Sequence, residues 1–116
     1  MDHTVIYRWR IKPGREKDFE SAWTEGTGQI RERCGSGGAE LYQGPDGVFF
    51  SLARWPSPQK RDECFEDASW ETESWPECMK ACIAERLPEL PLTRLRDLRK
   101  TDKEWHDVPT LTTNRL

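Results

Sequence analysis

Gly44–Pro58, GPDGVFFSLARWPSP, decides how this chain folds. It opens on Gly44-Pro45-Asp46-Gly47, where Pro presets the first turn angle and Gly accepts a positive φ, as a hairpin turn requires. It closes on Ser57-Pro58, an N-cap followed by proline at the first helical position. Between them Val48 to Trp55 is almost continuously apolar. A strand with one wet face alternates apolar and polar residues. This one carries Val48, Phe50 and Leu52 on one side and Phe49, Ala53 and Trp55 on the other. Both faces must therefore be covered.

The hairpin partner is Ala39 to Gln43, after the loop Cys34 to Gly38. Upstream, Thr4 to Lys12 alternates, with Val5, Tyr7, Trp9 and Ile11 on one face and Ile6, Arg8 and Arg10 on the other. That pattern predicts a strand, ended by Pro13-Gly14. Arg15 to about Arg33 predicts a helix, because Phe19, Ala22, Trp23, Gly26 and Ile30 recur every three or four residues. Gly26 and Gly28 each weaken it by about 1 kcal/mol relative to alanine. They point either to a helix held close to the sheet or to room for a ligand.

Downstream, Ser57-Pro58 opens a second helix with Phe65 and Ala68 inward. Ser74 and Glu77 have capping-box spacing, so a new segment is expected from Trp75 or Pro76. Trp75, Met79, Cys82, Ile83 and Leu87 form its stripe, and Pro88 ends it. Leu90 to Lys100 is expected as a strand with an irregularity. The expected domain is 1–103, followed by a polar, aperiodic tail at 104–116.

The order is β-α-β-β-α-β, an α+β, ferredoxin-like arrangement. Right-handed crossovers place both helices on one face of the sheet. Nothing in the chain is left for the other face, although the third strand is apolar there too. A second copy is expected to supply the cover, with two sheets stacked about 10 Å apart.

The chain has 116 residues and a net charge of -3, with 34% hydrophobic and 34% charged residues. One domain fits that length. Lys and Arg are interleaved with Asp and Glu, so a nucleic-acid surface is not expected. No apolar run approaches the roughly 20 residues of a membrane span. The start, MDHTVIYRWR, lacks a basic leader followed by an apolar stretch, so no signal peptide is expected. Cys34, Cys64, Cys78 and Cys82 form no CxxC pair. They are expected as reduced, small hydrophobes in a cytoplasmic protein, and not as metal ligands.

The elements Arg8 to Gly14 (RWRIKPG), Phe19 to Trp23 (FESAW), the Gly44 to Gly47 hairpin and Arg54 to Ser57 (RWPS) occur in the order and spacing of a known family. Over roughly Thr4 to Lys100 the chain resembles the antibiotic biosynthesis monooxygenase domain of the dimeric α/β-barrel superfamily. The resemblance implies a homodimer whose two sheets close into a barrel. It also implies one of several activities. Some members oxidise aromatic polyketide phenols to quinones with molecular oxygen and no cofactor, and others degrade haem.

Cofactor-free oxygenation requires an apolar pocket, a polar group that takes or holds a phenol proton, and a stabiliser of negative charge. Trp55 sits where the family carries a tryptophan, at a strand end that borders a pocket. Trp23 and Phe65 are expected nearby. Tyr7 and Tyr42 are the available phenols. Arg8 and Arg10 either stabilise an anion in the barrel lumen or pair with carboxylates such as Glu40. The haem-degrading branch uses a first-strand Asn, a Trp after the third strand and a helix His. Only Trp55 matches, since Asn114 lies in the tail and His3 and His106 lie outside the barrel elements. The reading is a cofactor-independent monooxygenase for a small aromatic compound. The alternative is a non-catalytic dimeric barrel that binds a small apolar ligand or a partner.

Overall fold

A computed structural model describes residues 3–100 of the chain. The elements are β1 (His3–Ile11), α1 (Glu16–Cys34), β2 (Ala39–Gln43), β3 (Val48–Trp55), α2 (Pro58–Phe65), α3 (Trp75–Cys82) and β4 (Ile83–Thr93), with a 3₁₀ turn at Ala68–Thr72. The four strands make one antiparallel sheet in the order β2-β3-β1-β4. This is the ferredoxin-like βαββαβ arrangement, with α2 and α3 together in the place of the second helix. The boundary expected at 103 and the tail at 104–116 lie outside the described residues.

The hairpin forms as its turn sequence dictates. Gly47 takes φ 84°, its N–H donates to the Gly44 carbonyl at 3.0 Å, and Asp46 accepts from the Val48 N–H. The β1–β3 register sets Tyr7 opposite Ser51 and Val5 opposite Ala53. Val5, Tyr7 and Trp9 therefore share a face with Phe49, Ser51, Ala53 and Trp55, and the helices cover it. Phe19 of α1 is fully buried there, its ring edge-on to Trp9 at 5.1 Å and to Phe49 at 5.5 Å. Such pairs add about 0.5–1.5 kcal/mol each beyond burial. The core divides into two clusters, one around Val5, Trp55 and Trp70, the other around Trp9, Phe19 and Phe49. Tyr7 packs against both.

The opposite sheet face carries Ile6, Phe50 and Leu52, with Leu90 and Leu92 in register beside Ile6 and Thr4. Leu90 and Leu92 remain 40% and 45% exposed. Helices thus cover one side of β3, and no helix covers the other.

Three expectations are corrected. The helix expected to run to Leu87 ends at Cys82, and the last strand spans Ile83–Thr93 instead of Leu90 to Lys100. The cause is tertiary. The Lys12 N–H takes the Cys82 carbonyl at 2.8 Å, and β1 then pairs with the chain from Ile83 onward. Pro88 and Pro91 are tolerated because β4 is an edge strand. Ser57 does cap α2, accepting from the Lys60 N–H, whereas Ser74 makes no side-chain cap.

Second, the close approach permitted by Gly26 is to α3, not to the sheet. A Cβ on Gly26 would lie 2.5 Å from the Trp75 ring. Third, Cys34 and Cys64 are not reduced but joined in a disulfide, with Cα atoms 5.7 Å apart. Thirty positions separate them in sequence. They meet because α1 and α2 lie on the same sheet face and end side by side. Cys78 and Cys82 remain free, the first exposed and the second buried.

Candidate functional site

A cavity of about 360 Å³ lies between the helix-covered sheet face and the three helices. It touches both core clusters, through Trp9 of one and Trp55 of the other. Six aromatic residues stand in its walls: Tyr7 and Trp9 from β1, Trp23 from α1, Trp55 from β3, Phe65 from α2 and Trp75 from α3. Four of the residues expected at a pocket, Tyr7, Trp23, Trp55 and Phe65, are brought together here. Trp55 is 3% exposed and meets the Phe65 ring edge-on at 5.4 Å. Phe65, by contrast, is an exposed residue.

Arg8 and Arg10 lie on the opposite sheet face and do not line this cavity. Arg8 donates to the Pro88 carbonyl at 2.7 Å, and Arg10 pairs with Glu85 at 3.3 Å. Glu40 pairs instead with Arg54 at 3.0 Å.

At the polar end of the cavity Tyr7 is joined by two residues the sequence did not single out, Arg61 and Glu89. Arg61 of α2 donates through Nε to the Tyr7 phenol at 3.2 Å. It also holds both Glu89 oxygens, at 2.7 and 2.6 Å, and Asp62 at 3.0 Å. Burial works against the Arg61 charge, but these hydrogen bonds prevail and its pKa is raised. Burial likewise raises the Tyr7 pKa, against the opposing pull of Arg61, so the phenol is protonated at neutral pH. The Trp55 indole N–H is near enough to ease Tyr7 ionisation, yet it is buried with no hydrogen-bond partner. Ser51, the one buried polar residue among those described, accepts from the Trp23 indole at 3.1 Å.

Glu89 reaches the cavity through an irregularity in β4. Ile6 pairs with Leu90 but Arg8 pairs with Leu87, so two residues, Pro88 and Glu89, stand opposite Tyr7. Bulges of this kind re-aim side chains beside functional sites. Proline at 88 was a local signal for it. Arg61 gave none, being one charge among several on a polar helix. Ser51 had a weak signal, a polar residue on the helix-facing side of β3.

Among the described residues no cluster of three or more His, Cys, Asp or Glu could hold a metal ion. None of their helices is long and apolar enough to cross a membrane.

Comparison with solved structures places this fold among the antibiotic biosynthesis monooxygenase proteins. SnoaB from Streptomyces nogalater, a cofactor-independent oxygenase, superposes with a TM-score of 0.70 at 14% identity, over 85% of this chain and 98% of that one. A Bordetella bronchiseptica protein named for the antibiotic biosynthesis monooxygenases gives 0.71 at 17% identity, over 82% and 98%. Rv0793 from Mycobacterium tuberculosis gives 0.67 at 16% identity, over 85% and 100%. At these identities the likeness is one of fold. No family model matches the chain, and no curated protein matches it.

Proposed function

We propose that this protein is a cofactor-independent monooxygenase acting on a small phenolic or polyketide-like aromatic compound, in the cavity between the sheet and its own helices. The observation that carries the reading is the buried, unpartnered Trp55 N–H on the wall of an aromatic cavity. An unpaired buried donor costs about 1–3 kcal/mol, and a ligand oxygen would relieve that. The SnoaB likeness supports the choice of reaction.

In the reaction a ring CH₂ activated by neighbouring phenol and carbonyl groups becomes C=O. Dioxygen supplies that oxygen, and its second atom leaves as water with the two hydrogens. The substrate is itself the reductant. The protein contributes an apolar aromatic enclosure for a flat ring system and donors aimed at the oxygen that becomes negative.

The test is oxygen uptake with anthrone-type phenols in the presence of chelator and without added cofactor. Trp55→Phe keeps a ring and removes the N–H, so it should lower turnover by at least tenfold while changing stability little. Trp55→Ala should additionally destabilise the fold by about 3–5 kcal/mol, as loss of a core aromatic does. If no phenol gives uptake and Trp55→Phe binds aromatics normally, the protein is a ligand-binding barrel without catalysis.

A homodimer belongs to the same reading, because the sheet face bearing Phe50 and Leu52 has no helix over it. A cytoplasmic location belongs to it as well, and cytosolic reductants would there act against the Cys34–Cys64 bond.

A further inference from the structure

The Tyr7 oxygen accepts from the Arg61 Nε–H, and a guanidinium can only donate. The phenol's own hydrogen is therefore left over. Among the described residues nothing accepts it, and the ring lines the cavity. The Trp55 N–H is a second unpartnered donor at the same end. Glu89, the carboxylate lining the cavity, has both oxygens on Arg61 Nη2. That guanidinium is fixed further by the aromatic rings below it, 5.0 Å from Phe65 and 5.7 Å from Tyr7. The polar end of the cavity thus offers two unpaired hydrogens, those of Tyr7 and Trp55, beside a carboxylate held by Arg61.

We propose that Glu89 and Arg61 are positioning residues that set the Tyr7 hydroxyl as a donor, so that the cavity selects aromatic ligands carrying an acceptor oxygen, a ring carbonyl or an ionised hydroxyl, at that end. The proposal rests on the cavity being the ligand site. Glu89 fixes the guanidinium, the guanidinium occupies one lone pair of the Tyr7 oxygen, and the hydrogen turns to the ligand. A hydrocarbon of the same shape would leave Tyr7 and Trp55 unpaired and would be rejected for that reason.

The experiment uses 1-tetralone and tetralin, which differ in one carbonyl group. Both are titrated into the full chain, and binding is followed by the indole N–H resonances in ¹⁵N-labelled protein. Tetralone should bind at least tenfold more tightly and shift one indole resonance, assigned through Trp55→Phe, that tetralin leaves in place. Tyr7→Phe should reduce the tetralone preference several-fold. Glu89→Gln and Arg61→Gln should each reduce it too, although neither side chain need touch the ligand. Tyr7→Phe combined with Glu89→Gln should be no less selective than Tyr7→Phe alone. Each ratio is taken within one variant, so a general loss of stability does not imitate the effect. Equal binding of the two ligands by the unaltered protein, or a preference unchanged in Tyr7→Phe, overturns the proposal and leaves the cavity reading standing. So does Glu89→Gln weakening both ligands alike. If neither ligand binds saturably, the cavity reading falls and this proposal falls with it.

Discussion

Gly26 and Gly28 differ by half a helical turn and should respond oppositely to the same substitution. Both sit in α1, where alanine is favoured over glycine by about 1 kcal/mol. A methyl at Gly28 meets nothing within 4 Å, whereas one at Gly26 would enter the Trp75 ring. Gly28→Ala should therefore stabilise the protein by up to about 1 kcal/mol. Gly26→Ala should destabilise it by about 1–3 kcal/mol, the usual effect of overpacking. Urea denaturation of the two variants settles the sign. A second residue-scale expectation concerns Tyr7, whose pKa is raised, chiefly by burial. Above the ordinary value of 10 the unfolded chain loses this proton first, so the folded state binds more protons and stability falls as pH rises. Tyr7→Phe should shallow that alkaline loss while leaving the pH dependence below 9 unchanged, read from denaturation midpoints across the range. At this scale the sequence exposed the apolar wall well. Tyr7, Trp23 and Trp55 fall on helical or strand periodicities that any local reading finds. Arg61 and Glu89 were invisible because their meeting depends on a helix and a bulged edge strand 28 positions apart.

Among the elements described, α2 is the one tied covalently to another, α1. Of its eight residues only Cys64 is buried, and that residue is disulfide-bonded to the end of α1. Arg61 and Phe65 of the same helix form one wall of the cavity. Cross-linking across a loop of this length contributes typically about 2–4 kcal/mol. Reduction should thus lower the melting temperature appreciably and loosen that wall, weakening aromatic ligands as well. The Cys34→Ala, Cys64→Ala double variant should match the reduced protein and be insensitive to reductant. A melting temperature unchanged by reductant, in protein shown by thiol counting to be reduced, would remove the disulfide from any account of the fold. The elements legible in the sequence were those with local punctuation. Pro13-Gly14 ended β1, the Gly44–Gly47 turn fixed the hairpin, and Ser57-Pro58 started α2. The junction of α3 and β4 was not legible. Its apolar residues Met79, Cys82, Ile83 and Leu87 continue a helical spacing, and only pairing with β1 converts the chain to a strand at Ile83. Long-range hydrogen bonding overrode the local pattern there, as it did in bringing Cys34 to Cys64.

At the scale of the whole molecule, the sheet face opposite the helices has a definite composition. Ile6, Phe50 and Leu52 form its apolar part, with Arg8 opposite Phe50 among them; Leu90 and Leu92 extend it, and the ion pairs Arg10–Glu85 and Arg54–Glu40 border it. A largely apolar patch with a charged border is the usual anatomy of a protein interface. A self-complementary patch of this kind suits a two-fold dimer, in which the same surface serves both copies. The sequence predicted that one face of β3 would need a partner but could not say which. The register now distinguishes the two phenylalanines, because Phe49 is buried beside Phe19 while Phe50 lies opposite Arg8 on the outer face. Phe50→Asp should give a folded monomer with a native far-ultraviolet spectrum and a near-native melting curve at low concentration. Phe49→Asp should instead disrupt the core and lower stability by several kcal/mol, since it buries an unpaired charge. Light scattering at micromolar concentration separates the cases. A mass of two chains for the unaltered protein and one chain for Phe50→Asp supports the sheet-to-sheet dimer. A folded monomer before any substitution, or a dimer that survives both Phe50→Asp and Leu52→Asp, would mean that this face is not where the copies meet.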